Sequence, residues 1–477
     1  MASHSPARRR FLLTTWSLLP AVAVWGLAAW FARDGRRWAI ELTNYLFALA
    51  LLVSYVAGWS LRITWARGRP RHATFQATTA TLVLLVLLLI VEVPAFLGLI
   101  DYSRQWESWT GNWRGPAYTF DVDLELAFRR CPNMHSVGRS CGDIAGAWNM
   151  PCRSPRQLEF TFNAQGFRSR TEYTTADVVM LGDSFIEGWF VSDGDTCSDK
   201  LAGRTGLIVA NLAQSGYGTL QELRILQRHA PGLSPRLVIW FFYEGNDLYD
   251  DEDFEDAVAY YQQVGGTIDE LRHRLGYRRT SFREASFSIN TFVVLRRSCD
   301  WLVPNNMPNV GWFRDDQGIR QRILFYNDYV SQLGDYELGR FEKTKQALAT
   351  GKALCDERGM RLLVCYIPTK FRVYREFCEF AASSPCRAWQ LWDLPERFAG
   401  FCGEAGIPFL NLTAAMQEAA GAGRLLYAPS DSHWDRAGHA FVARLLEENC
   451  RDIGLTDRGH TERRAQNVKG RVREIDE

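Results

Sequence analysis

Apolar residues crowd the first hundred positions into three stretches, roughly 11–31, 42–61 and 79–100, and then break into short runs between amphipathic segments. Each stretch is about 20 residues long, the length a helix needs to cross a bilayer core. They predict three transmembrane helices and a membrane anchor over residues 1–100. A cleaved signal peptide is the competing reading of the first stretch, but no small-residue cleavage site follows it before Arg33. Positive charge sets the orientation. Arg8, Arg9 and Arg10 precede the first stretch, and Arg62, Arg67, Arg69 and Arg71 separate the second from the third. Placing both groups in the cytoplasm leaves Arg33, Arg36 and Arg37 outside and exports everything after residue 100. Trp106, Trp109 and Trp113 then fall where an interfacial aromatic belt is expected. Glu92 is the ionisable residue deep in the third stretch. Such a residue is a functional candidate; the simpler reading is that it faces the neighbouring spans or reaches toward the outer interface.

Beyond residue 160 the runs 178–181, 207–211, 237–242, 362–366 and 408–412 read as strands, with helix-period segments at 197–203, 219–229, 337–358, 395–406 and 437–449 between them. Strands alternating with helices predict an α/β fold built on a doubly wound parallel sheet. Ligands in such sheets bind at the carboxyl ends of the strands. The alternation stops between about 248 and 335, too long a stretch for a connecting loop, and predicts an inserted cap over the site. Its acidic run (Asp250, Asp251, Glu252, Asp253, Glu255, Asp256) reads as a solvated face rather than a cation site. Residues 101–159 read as an exported, cysteine-containing linker, 160–450 as the catalytic domain and 451–477 as a disordered tail.

The net charge of +1 shows no basic excess for nucleic acid. All 11 cysteines follow residue 130, several of them in loop-like sequence (Cys131, Cys141, Cys152, Cys378, Cys386). Their spacing lacks the paired short gaps of a zinc site. An oxidising compartment is the simpler reading, in agreement with the charge argument. Cys365 lies in an apolar run and is expected to be a buried thiol.

Candidate chemistry starts at Gly182-Asp183-Ser184, which closes the run 178–181. A serine on the turn after a strand is a candidate nucleophile once an imidazole removes its proton; it is equally an ordinary helix N-cap. His433, in Asp431-Ser432-His433-Trp434 before the last amphipathic segment, is the histidine with a carboxylate near enough to fix its ring. His439 falls inside that segment and reads as structural. Oxyanion donors are expected after the second and third strands, from the Gly216 backbone and the Asn246 side chain.

In this order the four pieces, Gly-Asp-Ser184, Gly216, Gly245-Asn246-Asp247 and His433, resemble the four blocks of the SGNH (GDSL) hydrolase superfamily over roughly residues 160–449. Flanking features, Asn163-Ala-Gln-Gly-Phe-Arg168 and Tyr366-Ile-Pro-Thr-Lys370, accompany them. The resemblance implies a flavodoxin-like three-layer fold and metal-free acyl transfer without a cofactor. Ser184 would attack, His433 and Asp431 would handle the proton, and Ser184 N–H, Gly216 N–H and Asn246 would bind the oxyanion. Many members carry the acid three residues before the histidine, where this chain has Ser430. The Asp-x-His-Trp spacing resembles instead the branch that acetylates exported polysaccharides such as alginate.

The expected function is a membrane-anchored, exported serine esterase acting on acylated envelope carbohydrate or lipid. An acyltransferase of the same fold, supplied by a membrane acyltransferase partner, is the alternative. A catalytically silent binding module is a third reading, and four intact blocks speak against it.

Overall fold

The structure is a computed structural model that describes residues 6–31, 37–66, 69–100, 102, 120–147, 155–264, 282–298, 309–326, 333–452 and 454–455. Trp106, Trp109, Trp113, Cys152 and the tail after residue 455 lie outside the described residues.

Three long helices open the chain: α1 (Pro6–Phe31), α2 (Arg37–Trp65) and α3 (Pro70–Phe96). Each is long and apolar enough to cross a membrane. Their large side chains stay mostly exposed, as suits helices whose solvent is lipid. The third helix begins at Pro70, well before the expected residue 79, because proline at the first turn loses no hydrogen bond there.

The segment expected to be a linker forms two antiparallel ribbons among its described residues. These are β1 (Phe120–Asp123) with β2 (Ala127–Arg130), and β3 (His135–Ser140) with β4 (Arg156–Thr161). The short helix α4 (Asp143–Ala147) lies between β3 and β4 in the chain.

The α/β domain is built on a five-stranded parallel sheet, β5 (Val178–Leu181), β6 (Val209–Asn211), β7 (Leu237–Tyr243), β10 (Arg361–Ile367) and β12 (Phe409–Asn411). Its spatial order is β12-β10-β7-β5-β6, all parallel. This is the flavodoxin-like order, with its switch point between β5 and β7. Period-two alternation feeds two cores. Val178, Met180, Ile239 and Phe241 pack with Leu201 of α6 (Cys197–Thr205) and Val442 of α15 (Arg436–Asp452). Val179, Leu181, Val238 and Trp240 pack with Ile225 of α7 (Thr219–Leu233) and Leu348 of α11 (Asp335–Glu357). The remaining helices of this domain are α5 (Ser184–Glu187), α12 (Lys370–Tyr374), α13 (Leu394–Glu404) and α14 (Thr413–Gly421).

The insertion divides into distinct pieces. The acidic run is part of a helix, α8 (Asp247–Val264). The solvated-face expectation fails for its first turns. Asp247 and Asp251 are buried and serve as acceptors, Asp247 for the Tyr243 amide and Asp251 for the Leu220 amide. Further along the helix, Glu255 pairs with Arg340 and Lys343 of α11. Next come α9 (Phe282–Ala285) and α10 (Phe287–Ser298), which rest against the long N-terminal helices. Finally β8 (Val310–Arg314) pairs with β9 (Arg320–Leu324) and with β11 (Cys378–Phe380) in an antiparallel sheet. Cys365 is a buried thiol, and Cys141 is disulfide-bonded.

Candidate active site

Ser184 is the first residue of α5, on the turn that leaves β5 at the switch point. The local sequence makes that turn. Asp183 caps the helix through Oδ1, accepting the Phe185 amide at 2.9 Å, and Gly188 ends it in the left-handed conformation. Two buried arginines then fix the turn. Arg168 donates to the Glu187, Gly188 and Val191 carbonyls and lies over the Phe160 ring. Arg130 grips the Glu187 carboxylate at 2.7 and 2.8 Å, and Glu187 also accepts the Ser215 amide. One carboxylate therefore ties the serine turn to the loop that carries Gly216.

His433 arrives from the other end of the chain. Its Nε2 lies 2.7 Å from Ser184 Oγ and its Nδ1 lies 2.7 Å from Asp431 Oδ1. Asp431 is wholly buried, and Ser184 and His433 nearly so. The loop is held by Lys370, whose ammonium donates to the carbonyls of Ala428, Pro429 and Asp431. Burial pushes that ammonium down to about 8.

The loop is also held by residues that the sequence reading did not select. Asp143 opens α4; its amide donates to Asp431 Oδ2 at 2.7 Å. Its carboxylate accepts the Ser432 amide at 2.8 Å and the Ser432 hydroxyl, and lies 3.7 Å from His433 Nδ1. Ser430 donates to the Cys141 carbonyl, and Ala145 donates back to the Ser430 carbonyl. Gly142, at φ +99°, passes so close that a Cβ would overlap the Ser430 carbonyl. A disulfide-linked cysteine beside an acidic residue was the available signal, but nothing in the spacing joins residue 143 to residue 431.

Electrostatics follow from three carboxylates around one imidazole. Burial opposes charging the His433 ring, but Asp431, through its charge and hydrogen bond, with Asp143 and Asp183 behind it, lifts the ring to about 9. Asp431 is buried too, yet the His433 charge and hydrogen bond hold it below the usual carboxylate range. Burial, then repulsion from Asp431, push Asp143 up to about 7. Burial likewise raises Asp183 to about 6. His439 accepts the Cys197 amide, and burial drops it to about 3, which fits the structural role expected for it.

Gly216 and Asn246 lie on the loops that leave β6 and β7, the two neighbours of β5 in the sheet. Gly216 takes the left-handed φ of +79°. The Asn246 side chain donates to Asp250 at 2.7 Å, and its oxygen is buried without a partner. Neither residue touches the Ser184–His433–Asp431 group through a hydrogen bond among the described residues. Asp143, Asp431 and His433 offer metal-ligating atoms within 4.8 Å of one another. Their oxygens are already engaged by the amides and hydroxyl of the loop and by the imidazole, so the cluster reads as a hydrogen-bond network rather than a cation site.

A flavodoxin-like sheet with Gly-Asp-Ser at its switch point and Asp-x-His before the last helix is the SGNH hydrolase fold. Residues 321–473 match the family described as SGNH hydrolase-like domain, acetyltransferase AlgX; the match includes Asp431 and His433 and begins after Ser184. Similar solved structures include a GDSL-like lipase from Bacteroides thetaiotaomicron, 14% identical over 60% of this chain and 92% of that one, TM-score 0.28. An acetyl-xylooligosaccharide esterase variant from Geobacillus is 13% identical over 59% and 97%, TM-score 0.31. An acetyl xylan esterase from Butyrivibrio proteoclasticus is 10% identical over 64% and 76%, TM-score 0.26. Comparison with curated proteins finds no match.

Proposed function

We propose that this protein is a membrane-anchored serine esterase whose catalytic domain faces the exported side and removes small acyl groups from envelope carbohydrate or lipid. The observation that carries the reading is the continuous line Ser184 Oγ–His433 Nε2 and His433 Nδ1–Asp431 Oδ1, each step 2.7 Å. His433 takes the Ser184 proton as Oγ bonds to the acyl carbon, then returns it to the departing alcohol. Water, deprotonated by the same ring, attacks the acyl-serine and releases the acid and free Ser184. The amides of Ser184 and Gly216 and the Asn246 side chain are the proposed oxyanion donors. The three N-terminal helices support the anchor, and the arginine distribution supports the exported side.

A second reading has its own support. The matched family is described as an acetyltransferase, and a glycan hydroxyl in place of water would make the same acyl-serine a transfer intermediate. That route calls for a membrane partner that supplies acyl groups.

In the full-length protein, a fluorophosphonate should label Ser184, and the label should vanish in both Ser184→Ala and His433→Ala. Labelling that survives Ser184→Ala would refute the nucleophile assignment. Product analysis with an acetylated glycan, with and without an acceptor glycan, separates hydrolysis from transfer.

A further inference from the structure

Glu92 is an acid within an apolar helix, and its partner lies in the insertion. Glu92 Oε1 accepts the Ser288 amide at 2.6 Å and the Ser286 hydroxyl at 3.0 Å. Both groups belong to the start of α10, whose first amides have no intrahelical acceptor. In hydrocarbon such amides must find a partner within the protein, and a carboxylate also suits the positive end of the helix. Counting back from residue 100, Glu92 stands about 12 Å inside the end of the third apolar stretch.

Aromatic contacts extend the same docking. Phe282 meets Phe96 of α3 edge-on at 5.7 Å, and Phe292 meets Phe47 of α2 at 5.5 Å. Phe292 also joins the small cluster built by Ala28 of α1 and Phe47. Meanwhile Ile289 and Leu295 are 38% and 46% exposed on the same helix. At 12 residues α10 is too short to cross a bilayer.

We infer that Phe282–Ser298 is a fourth membrane element, a re-entrant helix set among α1, α2 and α3 in the leaflet nearer the catalytic domain, with Ile289 and Leu295 against lipid acyl chains. The inference rests on the membrane-anchor reading above. Glu92 is the latch. The occupant of the exposed α10 face is lipid, continuous with the lipid around the three spans.

The test uses the full chain in phospholipid nanodiscs, with a benzophenone amino acid placed singly at Leu295, Ile289, Leu89 or Ile208. Leu89 is exposed on α3 and Ile208 is exposed on the catalytic domain. Mass spectrometry after illumination should find lipid adducts at Leu89, Ile289 and Leu295 and none at Ile208. Adducts at Leu89 without adducts at Ile289 and Leu295 would overturn the re-entrant helix and leave the anchor standing. No adduct at Leu89 would overturn the anchor itself. Adding Glu92→Ala should reduce the Leu295 adduct to the Ile208 level while Leu89 is unaffected, and Glu92→Gln, which keeps an acceptor oxygen, should retain it. An unchanged Leu295 adduct in Glu92→Ala would remove Glu92 as the latch.

Discussion

Replacing Asp143 with asparagine tests whether this carboxylate sets the basicity of His433 or merely packs against its loop. Its oxygen lies 3.7 Å from His433 Nδ1, which at an effective dielectric near 20 is an attraction of about 4 kcal/mol for two full charges. At 1.36 kcal/mol per unit, that bounds the effect at about 3 pKa units. Solvent reduces it, because the Asp143 side chain keeps 22% exposure and the pair is screened. Asp143 titrates near 7 and is charged where the ring, at about 9, gives up its proton. A downward shift of about 1 unit in the His433 pKa remains.

The sign follows directly. In the proposed mechanism His433 must be neutral to take the Ser184 proton, and a ring lifted to about 9 is largely protonated at pH 7. The rate in the parent protein therefore climbs with pH until the ring is free. Removing a nearby negative charge lets the ring lose its proton earlier, so the acid limb of kcat/KM moves down by about 1 unit. Asparagine can still accept the Ser432 amide and donate to its hydroxyl, so the loop should keep its place. The assay is p-nitrophenyl acetate turnover by the full-length protein from pH 5 to 10, with Tm measured alongside. A rate lowered equally at every pH, with an unmoved limb, would refute the electrostatic role; an upward shift would refute the sign.

Other substitutions probe the remaining supports. Arg130→Ala leaves Glu187 buried and unpaired, and should cost about 3–5 kcal/mol in chemical denaturation, with lost activity. Lys370→Met removes the charge that gathers three loop carbonyls, and should lower kcat with little change in KM, read by steady-state kinetics. Gly142→Ala should push the 430–433 loop aside and depress both Tm and turnover, because its Cβ has no room beside the Ser430 carbonyl. Asn246→Ala should slow turnover by about a hundred- to a thousandfold if the amide serves the oxyanion, with fluorophosphonate binding tested in parallel.

The sheet was legible because its strands are short, mostly apolar runs bounded by turn residues, and 178–181, 237–243 and 362–367 are buried on both faces. The chain order of the four blocks likewise pointed to the residues that meet at the switch point. Elements outside the sheet were harder to see. The strands of 120–161 and 310–324 mix exposed and buried positions without clean alternation. The helix α14 is rich in alanine and lacks a distinct apolar stripe. The acidic run misled because a carboxylate that caps a neighbouring helix looks the same in sequence as one in water. Asp143 was invisible for a related reason: its partners on the histidine loop lie 288 residues or more along the chain, and a local pattern carries no such information.

The way the site is held explains why buried charge is concentrated there. Ser184 and His433 are 249 residues apart, yet their bond must stay near 2.7 Å, and a misplacement of 1 Å can cost about a hundredfold in rate. Apolar packing fixes the sheet but not the direction of the polar side chains on the buried 431–433 loop. Directed bonds supply what packing cannot. Arg168 and the Arg130–Glu187 pair hold the serine turn, while Lys370 and the Cys141–Ala145 segment hold the histidine loop. Arg130 and Asp143 both come from the stretch between the third long helix and the sheet. That stretch is therefore a working part of the site: removing it would leave Glu187 and Asp431 without the partners that keep their neighbours aligned.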